Sequence, residues 1–453
     1  MRLTSIQIMR GLAALLVTFY HVRAIETLAI GDSGLILSAT GAPESGLIGG
    51  LWGNGFVGVD LFFVISGFIM VYVTRDLVQG WRSVASFLFA RVSRIYPLWW
   101  LFASIMALYF LYAYGVPVDA AQAAKSGQSN LEHLLKSYLL VPQSVFPVLG
   151  VGWTLVHEMY FYFVFAAALA LPRRWLPYFL AVWGACVIAG SLGGLSGPFA
   201  IDYPALIFYP MTIEFVLGAF AGLLVASGRI WKPAILIVIA AIWLAAVMQL
   251  VPTPEGHGAA WTDFILQWGR VLIYGVPSAL IIYALAGLEV QNRLRVLFPA
   301  FAAAIGFVLG AVIAGAVAGV LLQLIAGLTS AGLAGGLTVY LVRSETRYFD
   351  RIESALATIG DWSYSIYLCH MLVLSALRRL FPWLAEFAES RMGLPAGTLD
   401  VLRLGVPGIW DNLVFLIVAI AATLAISCLA YQGFERPLTR QFGRLRRSIF
   451  KPS

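Results

Sequence analysis

The sequence predicts an all-α, polytopic membrane protein of about twelve transmembrane helices, and three observations predict it. Hydrophobic residues make up 61% of the chain and charged residues only 11%, where a soluble domain carries about a quarter charged. Mean hydropathy is +0.88, and apolar runs long enough to cross a bilayer recur along the whole chain. Lys and Arg alternate between connections, so an N-terminus inside leaves about 21 of the 29 on the inner side. That bias favours an even number of crossings with both termini in the cytoplasm.

In order, the apolar runs cover roughly residues 8–25, 56–74, 97–114, 150–171, 176–193, 204–226, 232–251, 268–287, 300–318, 320–342, 360–381 and 411–433. Three outer loops are long, at 26–55, 115–149 and 382–410. The second contains SNLEHLLKSYLL, with Leu131, Leu134, Leu135, Tyr138 and Leu139 at helical spacing behind a Ser129/Asn130 cap. A helix lying on the outer interface is expected there, with His133 solvated on its polar side. Residues 300–342 are Gly- and Ala-rich with few aromatics. Gly306-x-x-x-Gly310 and Gly315-x-x-x-Gly319 suit close helix packing, so a structural two-helix hairpin is expected. After Phe434, Leu438, Phe442, Leu445 and Ile449 alternate with Arg436, Arg440, Arg444, Arg447 and Lys451. That pattern describes a basic amphipathic helix on the inner leaflet. The chain therefore divides into a membrane domain over 1–433 and a cytoplasmic tail over 434–453.

The net charge of +7 sits in connections and the tail, so it answers to topology and anionic lipid and does not support nucleic-acid binding. Cys186, Cys369 and Cys428 all fall in apolar runs and form no C-x-x-C pair, so neither a disulfide framework nor a metal site is expected. The first 25 residues carry Arg2 and Arg10 before an apolar core, yet no A-x-A-like cleavage site follows. They are expected to stay as a helix. Trp52 and Trp261 suit the interfacial belt better than sugar stacking.

Ionisable residues inside the runs carry the functional argument, because each is expensive in lipid. In RGLAALLVTFYH, residues 10–21, Arg10 and His21 lie about 16 Å apart on one helix, near opposite ends of a crossing. Topology puts Asp60, in GFVGVDLFFVISGF, and Glu158, in WTLVHEMYFYF, in the same outer half as His21. An imidazole beside a carboxylate is the minimum equipment for general-base attack by an alcohol. His157 points about 100° away from Glu158, which is the favoured residue of the two. Cys369 and His370 cannot face one site for the same reason. His370 lies near mid-membrane, where it could line a tunnel, position an acceptor or simply pack. On the inner side Arg91 and Arg94, one turn apart just before the third run, join Arg10 at similar depth. Three guanidiniums near one point suit a polyphosphate, although single arginines there also serve as topology anchors.

At these residues the sequence resembles the acyltransferase-3 family, integral-membrane O-acyltransferases of bacterial surface glycans. The resemblance rests on Arg-x10-His (Arg10, His21), GVDLFFVISGF (Asp60), the FLFARVSRIYP segment (Arg91, Arg94), WTL-x-x-E (Glu158), SYSIYLCH over 363–370 and the closing FERP (Glu435). Six motifs in family order, from residue 10 to 437, are specific together. The WTL-x-x-E form is nearer the exopolysaccharide-acetylating branch.

That resemblance implies acyl-CoA, with acetyl the expected group, as a co-substrate bound from the cytoplasm, no permanently bound cofactor, and a glycan or lipid-linked saccharide as acceptor. His21 is then the expected base, or a transient acyl carrier, oriented by Asp60 or Glu158. Arg10, Arg91 and Arg94 serve the donor, and His370, Ser363 and Tyr367 line the tunnel or position the acceptor. The 300–342 hairpin looks like an insertion into a ten-helix core. No hydrolase-like domain follows the last helix, so the core is expected to complete transfer or pass the acyl group on. Membrane lipid is an expected partner, and a homo-oligomer is compatible with the sequence. The rival class is a transporter or flippase using the same buried ions as a substrate or proton pathway. A subunit without chemistry of its own is the third.

Overall fold

The computed structural model describes residues 3–32, 54–119, 124–125, 127–197, 201–251, 264–297, 299–300, 302–304, 306, 310, 320–343, 347–402 and 409–450, and no strand occurs among them. The helices are α1 (Thr4–Asp32), α2 (Val57–Val73), α3 (Trp81–Tyr114), α4 (Asn130–Leu139), α5 (Trp153–Ala168), α6 (Leu176–Leu192), α7 (Tyr203–Ile207), α8 (Thr212–Ala226), α9 (Pro233–Leu250), α10 (Val276–Val290), α11 (Val320–Arg343), α12 (Arg347–Asp361), α13 (Ser363–Met392), α14 (Ile409–Ala430) and α15 (Arg436–Ile449). Seven of the described helical stretches are long and apolar enough to cross a membrane. Val57–Val73, Pro233–Met248 and Ile325–Tyr340 are shorter apolar helices. The protein is a multi-pass helical membrane protein.

Helix ends depart from the apolar runs in ways that matter for the site. α1 starts at Thr4, where Glu289 at the end of α10 accepts hydrogen bonds from the Thr4 and Ser5 backbone N–H groups at 2.6 and 2.9 Å. Those groups have no partner within the helix, and a carboxylate also suits the positive helix end. α3 begins sixteen residues before its expected start of 97 and carries Pro97 in its interior, so Arg91 and Arg94 project from a helix flank instead of preceding it. α13 likewise runs through Pro382 to Met392, taking up the start of the expected outer loop at 382–410. In both, the apolar criterion missed the polar turns that extend the helix beyond lipid.

α2 occupies the centre, packed against α1, α5, α8 and α10. Its motif GVDLFFVISGF reads as a set of faces. Gly58 abuts α1, where a Cβ would collide with the Ala13 carbonyl, and Gly67 abuts the Phe215 carbonyl of α8 in the same way. Small residues permit this approach, and the Asp60 and Ser66 side chains are thereby aimed elsewhere. α1 also packs against α12, α13 and α14, and α13 against α3 and α14.

The expected interfacial helix forms as α4, and Ser129 Oγ accepts the Glu132 N–H as its cap. Leu131, Leu135 and Leu139 are exposed on its outer face. His133 is not solvated as expected; it is 1% exposed, because the side of the helix that carries it and Ser137 turns into the protein, while Glu132 and Lys136 pair at the surface. Burial holds its imidazole below the ordinary pKa. Gly306 and Gly310 meet the Ser330 and Ala326 carbonyls of α11, the close packing expected of that spacing. Gly315, Gly319, Trp52, Trp261 and most of the run 300–318 lie outside the described residues. α15 forms the tail helix and packs on α3, with Phe442 6.3 Å from Phe89 by ring centroid.

Candidate active site

The side chains of Arg10, Arg91, Arg94 and Glu158 line one cleft, walled by Tyr162, Tyr364 and Tyr367. They come from four helices far apart in the chain: α1, α3, α5 and α13. The Arg91 guanidinium lies over the Phe87 and Tyr162 rings at 5.1 and 5.3 Å, and its Nε is buried without a hydrogen-bond partner. Arg10 interacts electrostatically with Arg94, Glu435, Glu158 and Tyr162. Three cations thus face two carboxylates, an excess of positive charge with spare N–H donors.

Glu158 was expected in the outer half, oriented toward His21. Instead it lies in the arginine cleft, accepting hydrogen bonds from Tyr162 OH and from Ser66 Oγ, the latter at 3.2 Å. Tyr162 of its own helix and Ser66 of α2 hold it there. Glu435 of the FERP motif was not singled out as a site residue. It stands at the end of a widened helical turn, Tyr431–Glu435, accepts from Ser365 Oγ at 2.6 Å and interacts with Arg94 and Arg10.

Asp60 does not reach His21 either. It is 0% exposed and takes Arg270 as its partner, with Nε at 3.0 and 3.2 Å from the two carboxylate oxygens and Nη2 at 3.0 Å. Nη2 also donates to the Phe56 carbonyl at 3.2 Å. Arg270 sits between two widened turns, Ile265–Gly269 and Val271–Gly275, that present it to α2. Glu214 of α8 lies buried against the same pair. Sequence reasoning missed Arg270, although a lone Arg inside LQWGRVLIYG was a readable signal.

The partner of His21 is His370. His370 Nε2 lies 3.2 Å from His21 Nδ1, which is also 2.9 Å from the Val17 carbonyl, and His370 Nδ1 is 3.1 Å from the Ile366 carbonyl. The neutral pair that satisfies all three contacts carries its hydrogens on both Nδ1 atoms. His21 Nδ1–H then serves Val17 and His370 together, and His21 Nε2 keeps a lone pair. His370 is 0% exposed, whereas His21 is half-buried and reachable.

The remaining expectations divide by helix face. Tyr367 lines the arginine cleft and bonds Thr154 Oγ1 at 2.8 Å. Ser363 is buried without a partner for its hydroxyl and does not line that cleft. Cys369 turns to α14, 3.1 Å from Ser427 Oγ, and His157 packs among Phe63, Trp153, Phe161 and Tyr209, as its angle from Glu158 predicts.

A family model described as an acyltransferase domain matches residues 3–297 and 288–432. The chain belongs to the acyltransferase-3 family. It is a membrane acyltransferase. Over 404 residues the chain is 30% identical to the exopolysaccharide production protein ExoZ of Rhizobium meliloti (strain 1021), covering 87% of this chain and 92% of that protein. Over 406 residues it is 25% identical to the acyltransferase MdmB of Streptomyces mycarofaciens, covering 85% and 83%. No solved structure gives a significant match.

Proposed function

We propose that this acyltransferase carries an acyl group, acetyl in the first instance, from cytoplasmic acyl-CoA to a hydroxyl of a lipid-linked or exported polysaccharide. The observation that carries the reading is the His21–His370 pair, with an unprotonated Nε2 on the accessible ring and an arginine cleft about 16 Å away along α1. Arg10, Arg91 and Arg94 are assigned to the phosphates of the donor, for which planar guanidiniums are suited. We assign the arginine end to the cytoplasm of a bacterial inner membrane, as the distribution of Lys and Arg favours, with both termini on that side. The name of the relative ExoZ supports a polysaccharide acceptor.

In the reaction, His21 Nε2 takes the proton of the acceptor hydroxyl as its oxygen attacks the thioester carbonyl carbon. The tetrahedral intermediate collapses, the C–S bond breaks, and the proton passes from His21 to the departing CoA sulfur. A C–O ester bond has replaced a C–S bond. His370 Nε2, accepting from His21 Nδ1–H, fixes the tautomer and stabilises the imidazolium, the work expected at first of Asp60 or Glu158.

The test is acetyl-CoA turnover by purified protein in nanodiscs, following thiol release and protein-bound label. His21→Ala is expected to lower turnover by about 10²- to 10⁴-fold with acetyl-CoA binding retained. A wild-type protein that neither binds nor turns over acyl-CoA would sink the donor assignment. Label held on wild type and lost in His21→Ala would make His21 an acyl carrier.

A further inference from the structure

A second cleft opens beyond the histidine pair, and α13 lays out the order. Tyr364 and Tyr367 line the arginine cleft, His370 meets His21, and Met371, Ser375, Arg378 and Arg379 line the second cleft. α3 repeats it, with Arg91 and Arg94 in the first cleft and Tyr109 and Tyr114 in the second. Arg94 to Tyr109 and Tyr364 to Arg379 each span about 22 Å of helix, so the two clefts lie at opposite ends with the histidines between them.

The second cleft is roomy, about 1290 Å³ including its mouth, more than a compact small-molecule pocket needs. Its wall is built around Arg379. That guanidinium lies 4.9 Å from the Tyr109 ring centroid and 5.7 Å from that of Tyr114, and Nη2 donates to Tyr114 OH at 3.0 Å. Stacking and one hydrogen bond hold the fork in place, and they use one of its five N–H donors. Arg378 adds a second cation, Asp119 is the carboxylate among the described lining residues, and His133 adds a buried imidazole. Aromatic rings beside fixed guanidiniums form a surface for sugar rings that carry negative charge. Guanidiniums can also donate to neutral hydroxyls, but two of them in one cleft favour a ligand that brings negative charge.

We propose that this cleft is the acceptor subsite and that it selects an anionic saccharide, Arg378 and Arg379 holding a carboxylate or phosphate while a sugar hydroxyl reaches His21. The proposal rests on the acyl-transfer reading above. Arg379 lies about 14 Å along α13 from His370, so the charged group sits on a part of the acceptor remote from the hydroxyl that reacts.

The experiment measures binding of three probes to the full chain in nanodiscs: a glucuronate-containing oligosaccharide, a neutral oligosaccharide linked to polyprenyl pyrophosphate, and the same neutral oligosaccharide free. Wild type is expected to bind one anionic probe about tenfold or more tighter than the free neutral one. Which anionic probe wins tells a sugar carboxylate from a carrier phosphate. Arg378→Ala/Arg379→Ala is expected to erase the preference while acetyl-CoA affinity moves less than about twofold, and the double Lys variant to restore part of it. Equal binding of all three probes, failure to bind either anionic one, or a preference that survives the double Ala substitution overturns the proposal. Thiol release from acetyl-CoA reports separately on the acyl-transfer reading, so failure of one is distinguishable from failure of the other.

Discussion

Two buried charge clusters lie on neighbouring faces of this bundle, and they are built to opposite ends. Asp60 and Arg270 hold each other through three hydrogen bonds with almost no exposure, and Glu214 is buried against them. Arg10, Arg91 and Arg94 outnumber Glu158 and Glu435, line an open cleft, and leave a buried Arg91 Nε without a partner. A closed pair fastens helices together; an open excess of one sign awaits a ligand of the other. Ion pairing in a membrane helix is therefore no mark of catalysis by itself, and whether the cluster lines a cleft is the better guide.

The sharpest way to break the comparison is at Asp60. Asp60→Ala leaves Arg270 charged and buried, and is expected to cost about 3–5 kcal/mol, seen as a large fall in the thermal unfolding midpoint in detergent. Asp60→Leu/Arg270→Met is expected to recover part of that stability, since the unpaired guanidinium is gone and only Glu214 of the cluster remains. A D60A protein of wild-type stability that cannot turn over acetyl-CoA would instead move Asp60 into the chemistry.

Arg91→Ala should do the reverse. Losing charge-assisted hydrogen bonds to the donor is expected to weaken acetyl-CoA binding by about 1.5–3 kcal/mol, a roughly ten- to hundredfold rise in Kd, with the unfolding midpoint unmoved. Arg91→Lys recovers little if the fork geometry matters and most of it if charge alone does. The smallest effect is expected at His370. His370→Phe removes the acceptor of one neutral hydrogen bond to His21, and kcat should fall about tenfold with KM for acetyl-CoA unchanged. His370→Gln, which can still accept, is expected to keep most of the rate.

Depth along a helix was legible and direction around it was not. Counting residues at 1.5 Å each set Arg10 apart from His21 and near Arg91 and Arg94, and the three arginines do line one cleft. Asp60 lies at a level close to His21, yet the approach of Gly58 to Ala13 turns its side chain away to Arg270. Glu158 fails for a related reason, since the tyrosine and serine that hold it come from α5 and α2. His370 could be named from its motif, but its contact with a residue 349 positions away is a property of how α13 meets α1. The cap at Ser129 was readable because it is local; the burial of His133 four residues later was not, because it depends on what α4 covers.

The sequence by itself determined the all-helical membrane class, the recurrence of long apolar stretches, the amphipathic helices α4 and α15, and the family. Each of these is written in composition, period or a motif within one stretch of chain. The tertiary structure alone decided that Asp60 belongs to Arg270, Glu158 to the arginine cleft and His21 to His370. The physical reason is that a buried charge takes the partner that packing brings within hydrogen-bond reach, and packing joins helices far apart in sequence by faces that no single helix records.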